Sequence, residues 1–244
     1  MANVLGYLEE SFRRVPERCA VTDDRVSYSY AEFYHLTRRL GSALAERVGQ
    51  RQGVGIYMEK NTDAVAAFFG VQWAGGFYSV LTTELPGGRL QQIVAQLDPP
   101  VIVTSRENLP RAREIFPEEK LCCFEDLALH TEDARRLEKI QARAIDTDPL
   151  YVNFTSGSTG VPKGIVVSSR SVLDFIGCFT ELFGITQDDV IANQAPFDFD
   201  VSVKDIYSAM KAGATLAVVP RRLFSVPTQL IDFLCEKKAT TLIW

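Results

Sequence analysis

The stretch Thr155-Ser156-Gly157-Ser158-Thr159-Gly160-Val161-Pro162-Lys163-Gly164 is unlike the rest of the chain. It gathers three glycines, four hydroxyls and one lysine into ten residues. Glycine lets the backbone take positive φ and lie close against a ligand. Hydroxyls and unpaired backbone N–H groups can surround anionic oxygens, Lys163 adds a compact positive charge, and Pro162 stiffens the chain before it. That is the inventory a polyphosphate needs. The order is not that of a Walker loop, in which Gly-Lys is followed by Ser or Thr; here Lys163 precedes Gly164. By composition alone, a plain Gly/Ser turn in a β-hairpin accounts for the stretch equally well.

Working outward, Leu150-Tyr151-Val152-Asn153-Phe154 reads as a strand entering the loop, and Gly164-Ile165-Val166-Val167 as a strand leaving it. A helix is predicted over Ser171 to Phe183, a strand at Val190-Ile191-Ala192 and a helix over Val203 to Met210. Ala214 to Val219 is a strand ended by Pro220, Thr228 to Glu236 a helix, and Thr241-Leu242-Ile243-Trp244 begins another strand. Upstream, a helix over residues 3–14 precedes a short strand at Arg25 to Tyr30. Ala31 to Val48 carries Phe33, Leu36, Leu40, Leu44 and Val48 on one helical stripe. Strands at Val54 to Met58, Phe77 to Leu81 and Val101 to Val103 alternate with helices at Thr62 to Ala74 and Leu90 to Leu97. This alternation predicts an α/β fold with doubly wound, largely parallel sheets flanked by helices. The charged stretch from Arg106 to Asp148 shows few strand signals and is predicted to carry surface helices and a connection.

The 244 residues are 46% hydrophobic and 23% charged, which excludes disordered, collagenous and coiled-coil chains. A formal net charge of −5 offers no electrostatic footprint for nucleic acid. The five cysteines (Cys19, Cys122, Cys123, Cys178, Cys235) form no CxxC pair, and neither histidine stands in a ligand pattern, so free thiols are expected and no metal site. The acidic start lacks the basic and apolar regions of a signal peptide, which predicts a cytoplasmic protein. Ala64 to Thr83 is uncharged over a spanning length, but Gly75-Gly76 breaks it into a buried helix and a strand, so no membrane partner is expected.

The order TSGSTGVPKG resembles the phosphate-binding signature of the adenylate-forming, AMP-binding superfamily: acyl-CoA synthetases, luciferases and nonribosomal peptide synthetase adenylation domains. Downstream, Phe197-Asp198-Phe199-Asp200-Val201-Ser202-Val203-Lys204 resembles the Phe-Asp-x-Ser block of amino-acid-activating members, and looks closest to D-alanine–carrier-protein ligases. Val26 to Phe33 and Gly70 to Gly76 resemble weaker upstream blocks.

The resemblance implies that Thr155, Ser156, Gly157, Ser158, Thr159, Gly160 and Lys163 meet the phosphates of ATP, with Mg²⁺ as the accompanying ion. It implies that Asp200, between Phe199 and Val201, holds a substrate α-ammonium group, since a carboxylate in apolar surroundings calls for a cation. Asp200 as a helix N-cap is the competing reading. Lys204, one turn on, matches a position lining the family's substrate pocket; an Asp200–Lys204 helix pair or a solvated lysine is the plainer alternative. Val201 is either a pocket wall or a core residue.

Two departures stand out. Members often carry a histidine shortly after the Gly-rich loop, where this chain has Val167-Ser168-Ser169-Arg170. The block after Gly76 lacks the usual Pro-Leu-Asp-Pro and reads Ser79 to Pro86. Residues 1–244 are expected to be a partial N-terminal AMP-binding domain, without the hinge, the small C-terminal domain or the family's catalytic lysine. The implied reaction is ATP-dependent carboxylate activation to an aminoacyl-adenylate, then transfer to the thiol of a phosphopantetheine carrier protein or CoA, with the fragment alone inactive. An acyl- or aryl-CoA synthetase fragment and a non-catalytic nucleotide-binding remnant are the alternatives.

Overall fold

A computed structural model describes residues 2–156 and 161–243, with Ser156 described in its backbone alone. The chain begins with α1 (Leu5–Arg14), β1 (Cys19–Thr22), β2 (Ser27–Ser29) and α2 (Tyr30–Leu44). Then come β3 (Gly53–Tyr57), α3 (Thr62–Trp73), β4 (Phe77–Val80), α4 (Gly87–Leu97) and β5 (Ile102–Thr104). The charged stretch holds α5 (Leu109–Ile115), β6 (Leu121–Cys123), α6 (Phe124–Ala128) and α7 (Ala134–Gln141). The last part is β7 (Pro149–Ser156), β8 (Pro162–Ser168), α8 (Ser169–Leu182), β9 (Val190–Asn193), α9 (Val201–Ala212), β10 (Thr215–Val218) and α10 (Pro227–Glu236).

The strands form two sheets, in the orders β2-β1-β10-β9 and β6-β5-β3-β4-β7-β8. Every pairing is parallel except one hairpin at an edge of each sheet, β1–β2 and β7–β8. The predicted parallel α/β architecture is present, with two corrections. β1 and β6 are strands that the sequence reading missed, because three or four residues leave too little periodicity to count. The strand expected from Thr241 is reduced to one parallel bridge between Ile191 and Thr241, and Trp244 lies outside the described residues.

α3 explains why both sheets share one core. It is apolar on every side, and each side meets a partner. Phe69 packs edge-on against Phe33 of α2 at 5.6 Å between centroids and lies tilted against Tyr207 of α9 at 5.7 Å. Phe68 stacks on Tyr78 of β4 at 4.3 Å and meets Phe197 edge-on at 5.4 Å. The Tyr78 and Tyr207 hydroxyls, 3.1 Å apart, join β4 in one sheet to the helix that leads into β10 of the other. A Cβ on Gly41 of α2 would stand 2.3 Å from the Trp73 Cβ, so only glycine permits this approach of α2 to α3. The uncharged run from Ala64 to Thr83 is thus a helix and a strand, broken at Gly75 with φ of 80°. No helix among the described residues is long and apolar enough to cross a membrane.

Candidate functional site

β7 and β8 pair antiparallel from Pro149↔Ser168 to Ser156↔Pro162, so the Gly/Ser-rich stretch connects the two strands of a β-hairpin. Because β7 runs parallel to β4, Thr155 near its end lies at the carboxyl ends of the parallel strands, where open α/β sheets bind their ligands. Gly164 lets the hairpin close, since a Cβ there would meet Val152 Cγ2 at 2.9 Å. Thr155 and Lys163 are both exposed at the mouth of the turn. Arg89 of α4 donates from Nη2 to the Thr155 carbonyl at 3.1 Å, bringing a second cation that the sequence reading did not single out. Gly157, Ser158, Thr159 and Gly160 lie outside the described residues, as does the side chain of Ser156.

A cavity of about 370 Å³ opens beside the hairpin, lined by Tyr151, Val167, Ser171, Val172, Phe175, Asp200, Val201, Val203 and Lys204. Three of the four substrate residues expected from sequence therefore line one space. Phe199 does not line it and is 59% exposed. Asp200 sits at the N-terminus of α9 with helical backbone angles, and its carboxylate makes no capping hydrogen bond. The capping role is thus absent, and Asp200 is an exposed residue on the cavity lining. Burial, and next the Asp200 charge, push the Tyr151 phenol up to about 12, which keeps it a neutral hydrogen-bond donor. Val201 is half-exposed on the cavity wall and is no core residue.

Lys204 departs from both plain alternatives. It is neither solvated nor paired with Asp200: it is buried, and its Nζ donates to Asp205 Oδ1 at 3.0 Å, the Val201 carbonyl at 3.3 Å and the Ile243 carbonyl at 3.4 Å. Asp205 Oδ2 accepts from Asn193 Nδ2 at 2.9 Å. Desolvation pushes the Asp205 carboxyl above its ordinary range, while Lys204 and Asn193 pull it back.

The positions where the chain departs from the family pattern have structural roles. Ser168 caps α8, its side chain accepting from the Ser171 amide. Arg170 makes a two-pronged ion pair with Asp146 at 2.9 and 2.7 Å.

A second cavity, of about 240 Å³, lies where the carboxyl ends of β3, β4, β9 and β10 converge; Lys60, Glu84, Phe197 and Arg221 help line it. Lys60 Nζ donates to the carbonyls of Asn193, Val219 and Gln194 at 2.8, 3.0 and 3.2 Å, tying the chain just beyond β3 to the ends of β9 and β10 in the other sheet. Burial brings its amine down to about 7. Nothing in the Met58-Glu59-Lys60 sequence marks this lysine, because its acceptors are backbone carbonyls more than a hundred residues away. Among the described residues there is no group of three or more His, Cys, Asp or Glu side chains placed to hold a metal ion.

Residues 8–243 match the family described as AMP-binding enzyme. The chain belongs to this family. Syringomycin synthase SyrB1 of Pseudomonas syringae pv. syringae is 32% identical over 97% of this AMP-binding chain. A D-alanine--D-alanyl carrier protein ligase of Lacticaseibacillus casei is 27% identical over 91% of it. The chain spans 39% and 43% of those two proteins, about two fifths of their length. Among solved structures, the nonribosomal peptide synthetase FmoA3 in its α-methyl-L-serine-AMP bound form superposes with a TM-score of 0.87 at 24% identity, covering 98% of this chain and 26% of that one. The adenylate-forming fold and the family resemblance expected from the two motifs are therefore correct.

Proposed function

We propose that this chain forms the nucleotide-binding and ammonium-binding side of an enzyme that activates an amino acid with ATP. The observation that carries the reading is the Asp200 carboxylate, uncapped and facing a largely apolar cavity beside the hairpin turn. Water reaches this exposed carboxylate until a substrate fills the cavity, and a ligand that displaces that water must bring its own cation, which an α-amino acid does and a plain fatty or aryl acid does not. Tyr151, Val172 and Phe175 would form the wall against the substrate side chain, with Val201 and the Lys204 stem beside them.

In the proposed reaction a substrate carboxylate oxygen attacks the α-phosphorus of ATP. The new bond is acyl-oxygen to phosphorus, the bond to the bridging β-phosphate oxygen breaks, and pyrophosphate leaves with that electron pair. Thr155, Ser156, Gly157, Ser158, Thr159, Gly160 and Lys163 would hold the phosphates through hydroxyls, backbone N–H groups and one ammonium, with Arg89 steadying the strand end from which the turn departs. Mg²⁺ would supply charge neutralisation on the pyrophosphate. The thiol sulfur of a phosphopantetheine carrier protein or CoA would then attack the acyl carbon; the carbon–sulfur bond forms, the acyl carbon–oxygen bond to the phosphate breaks, AMP leaves with that electron pair, and the thiol proton passes to solvent. The name of one relative, a D-alanine--D-alanyl carrier protein ligase, supports the carrier reading. A reducing cytoplasm suits the five free cysteines at the described positions.

The test is amino-acid-dependent ATP–pyrophosphate exchange in the natural-length protein. Asp200→Ala should raise the KM for the amino acid by about 100-fold, the loss of a charge-assisted pair worth roughly 2–3 kcal/mol, with the KM for ATP unchanged. Equal exchange with the deaminated analogue of the best amino acid would sink the proposal.

A further inference from the structure

Lys204 has a choice of acids. Helical spacing offers it Asp200, four residues back, on the same face of α9. It takes Asp205 instead, a neighbour that helical geometry points away, by folding its long stem back to reach Oδ1 at 3.0 Å. Burial explains the preference. Water solvates the exposed Asp200 carboxylate, whereas the Asp205 side chain is 1% exposed and needs a cation from within the protein. The remaining two ammonium protons have acceptors in the Val201 and Ile243 carbonyls, at 3.3 and 3.4 Å. An ammonium has three donors and no more. The positive charge of Lys204 is thus spent inside the wall, and the cavity meets its aliphatic stem.

Resting on the amino-acid reading above, we infer that Asp205 is a specificity-positioning residue: by drawing the Lys204 ammonium out of the cavity, it makes this wall select amino acids with uncharged side chains. An acidic side chain would find no available cation on this wall and would meet the Asp200 charge. Lys204 then lines the cavity, as its place in the motif implies, without offering its charge to an acidic substrate. Asn193 completes the device, because its Nδ2 donates to the second oxygen of Asp205 at 2.9 Å and fixes the carboxylate plane.

The experiment compares ATP–pyrophosphate exchange over neutral and acidic amino acids, including the glutamine–glutamate and asparagine–aspartate pairs. The natural-length protein is measured alongside Asp205→Asn and the double variant Lys204→Met/Asp205→Asn, which keeps the core electrically neutral. The expected best substrate of the natural protein has an uncharged side chain. Asp205→Asn should raise kcat/KM for an acidic member relative to its amide by about tenfold or more, and the double variant should lose that gain. In parallel, nitrogen-15 NMR of the lysine side chains should find the Lys204 ammonium protons in slow solvent exchange in the natural protein and in fast exchange in Asp205→Asn. Preference for an acidic substrate in the natural protein overturns the inference. So does an unchanged amide-to-acid ratio in Asp205→Asn, or fast exchange at Lys204 before any substitution. Failure of every amino acid to support exchange overturns the amino-acid reading instead, and the NMR result alone then decides whether Asp205 holds the lysine.

Discussion

At the residue scale, the chemistry of this chain depends on which charges are buried. Lys60 is the clearest case outside the cavity that Asp200 and Lys204 line. Its ammonium serves three carbonyls at the ends of β9 and β10, yet burial brings it down to about 7 from its ordinary 10.5. Between those two values the unfolded chain holds a proton that the folded chain has released. Its contribution to stability therefore rises as pH climbs through that window and is smallest below it. Lys60→Met removes the titrating group, so the melting temperature of the natural chain relative to the variant should increase from about pH 6 to about pH 9. Calorimetric melts of both proteins across that range check this, and a constant gap counts against it. Of these charged residues, Asp200 and Lys204 were legible in sequence through their place in a motif. Lys60, Asp205 and Arg89 were not, since each acts through partners or surroundings that no local spacing reveals.

At the scale of elements, long amphipathic or apolar segments were readable and short ones were not. α2 announces itself by its stripe and by Ser29 and Glu32, which form a reciprocal capping box. α3 was readable as a buried helix because it is apolar and ends before a Gly-Gly pair. β6, three half-buried residues in a charged region, owes its existence to pairing with β5. The α2–α3 contact rests on Gly41 and Gly70, where an added Cβ would come within 2.3 Å of Trp73 Cβ and 2.7 Å of Leu40 Cβ respectively. Alanine at Gly41 gains about 1 kcal/mol in helix propensity but forces the helices apart at a cost of about 1–3 kcal/mol. Gly41→Ala should therefore lower stability by up to about 2 kcal/mol in urea denaturation, against the usual sense of a glycine-to-alanine change in a helix. A stabilised variant would mean that α2 and α3 can separate freely.

At the scale of the molecule, one face stays apolar and uncovered. Phe175, Phe179 and Phe183 run along α8 with centroids 5.5 and 4.6 Å apart, and Leu182 is 80% exposed beside them. Ile165 and Val166 of the edge strand β8 are both more than half exposed, although successive strand residues point to opposite sides. Apolar surface of this extent drives association. The double variant Leu182→Ser/Phe183→Ser should stay monodisperse to higher concentration than the natural chain in light scattering; unchanged association would mean that this face takes no part. The sequence by itself determined the family, the parallel α/β plan and the two strands that flank the Gly/Ser-rich motif, because long hydrophobic periodicities and an ordered ten-residue motif are local properties. Only the tertiary structure decided which carboxylate Lys204 serves, that Asp200 caps nothing, and that Lys60 ties two sheets together. Each of those outcomes is a competition between burial and hydration, and the winner depends on groups far apart in the chain.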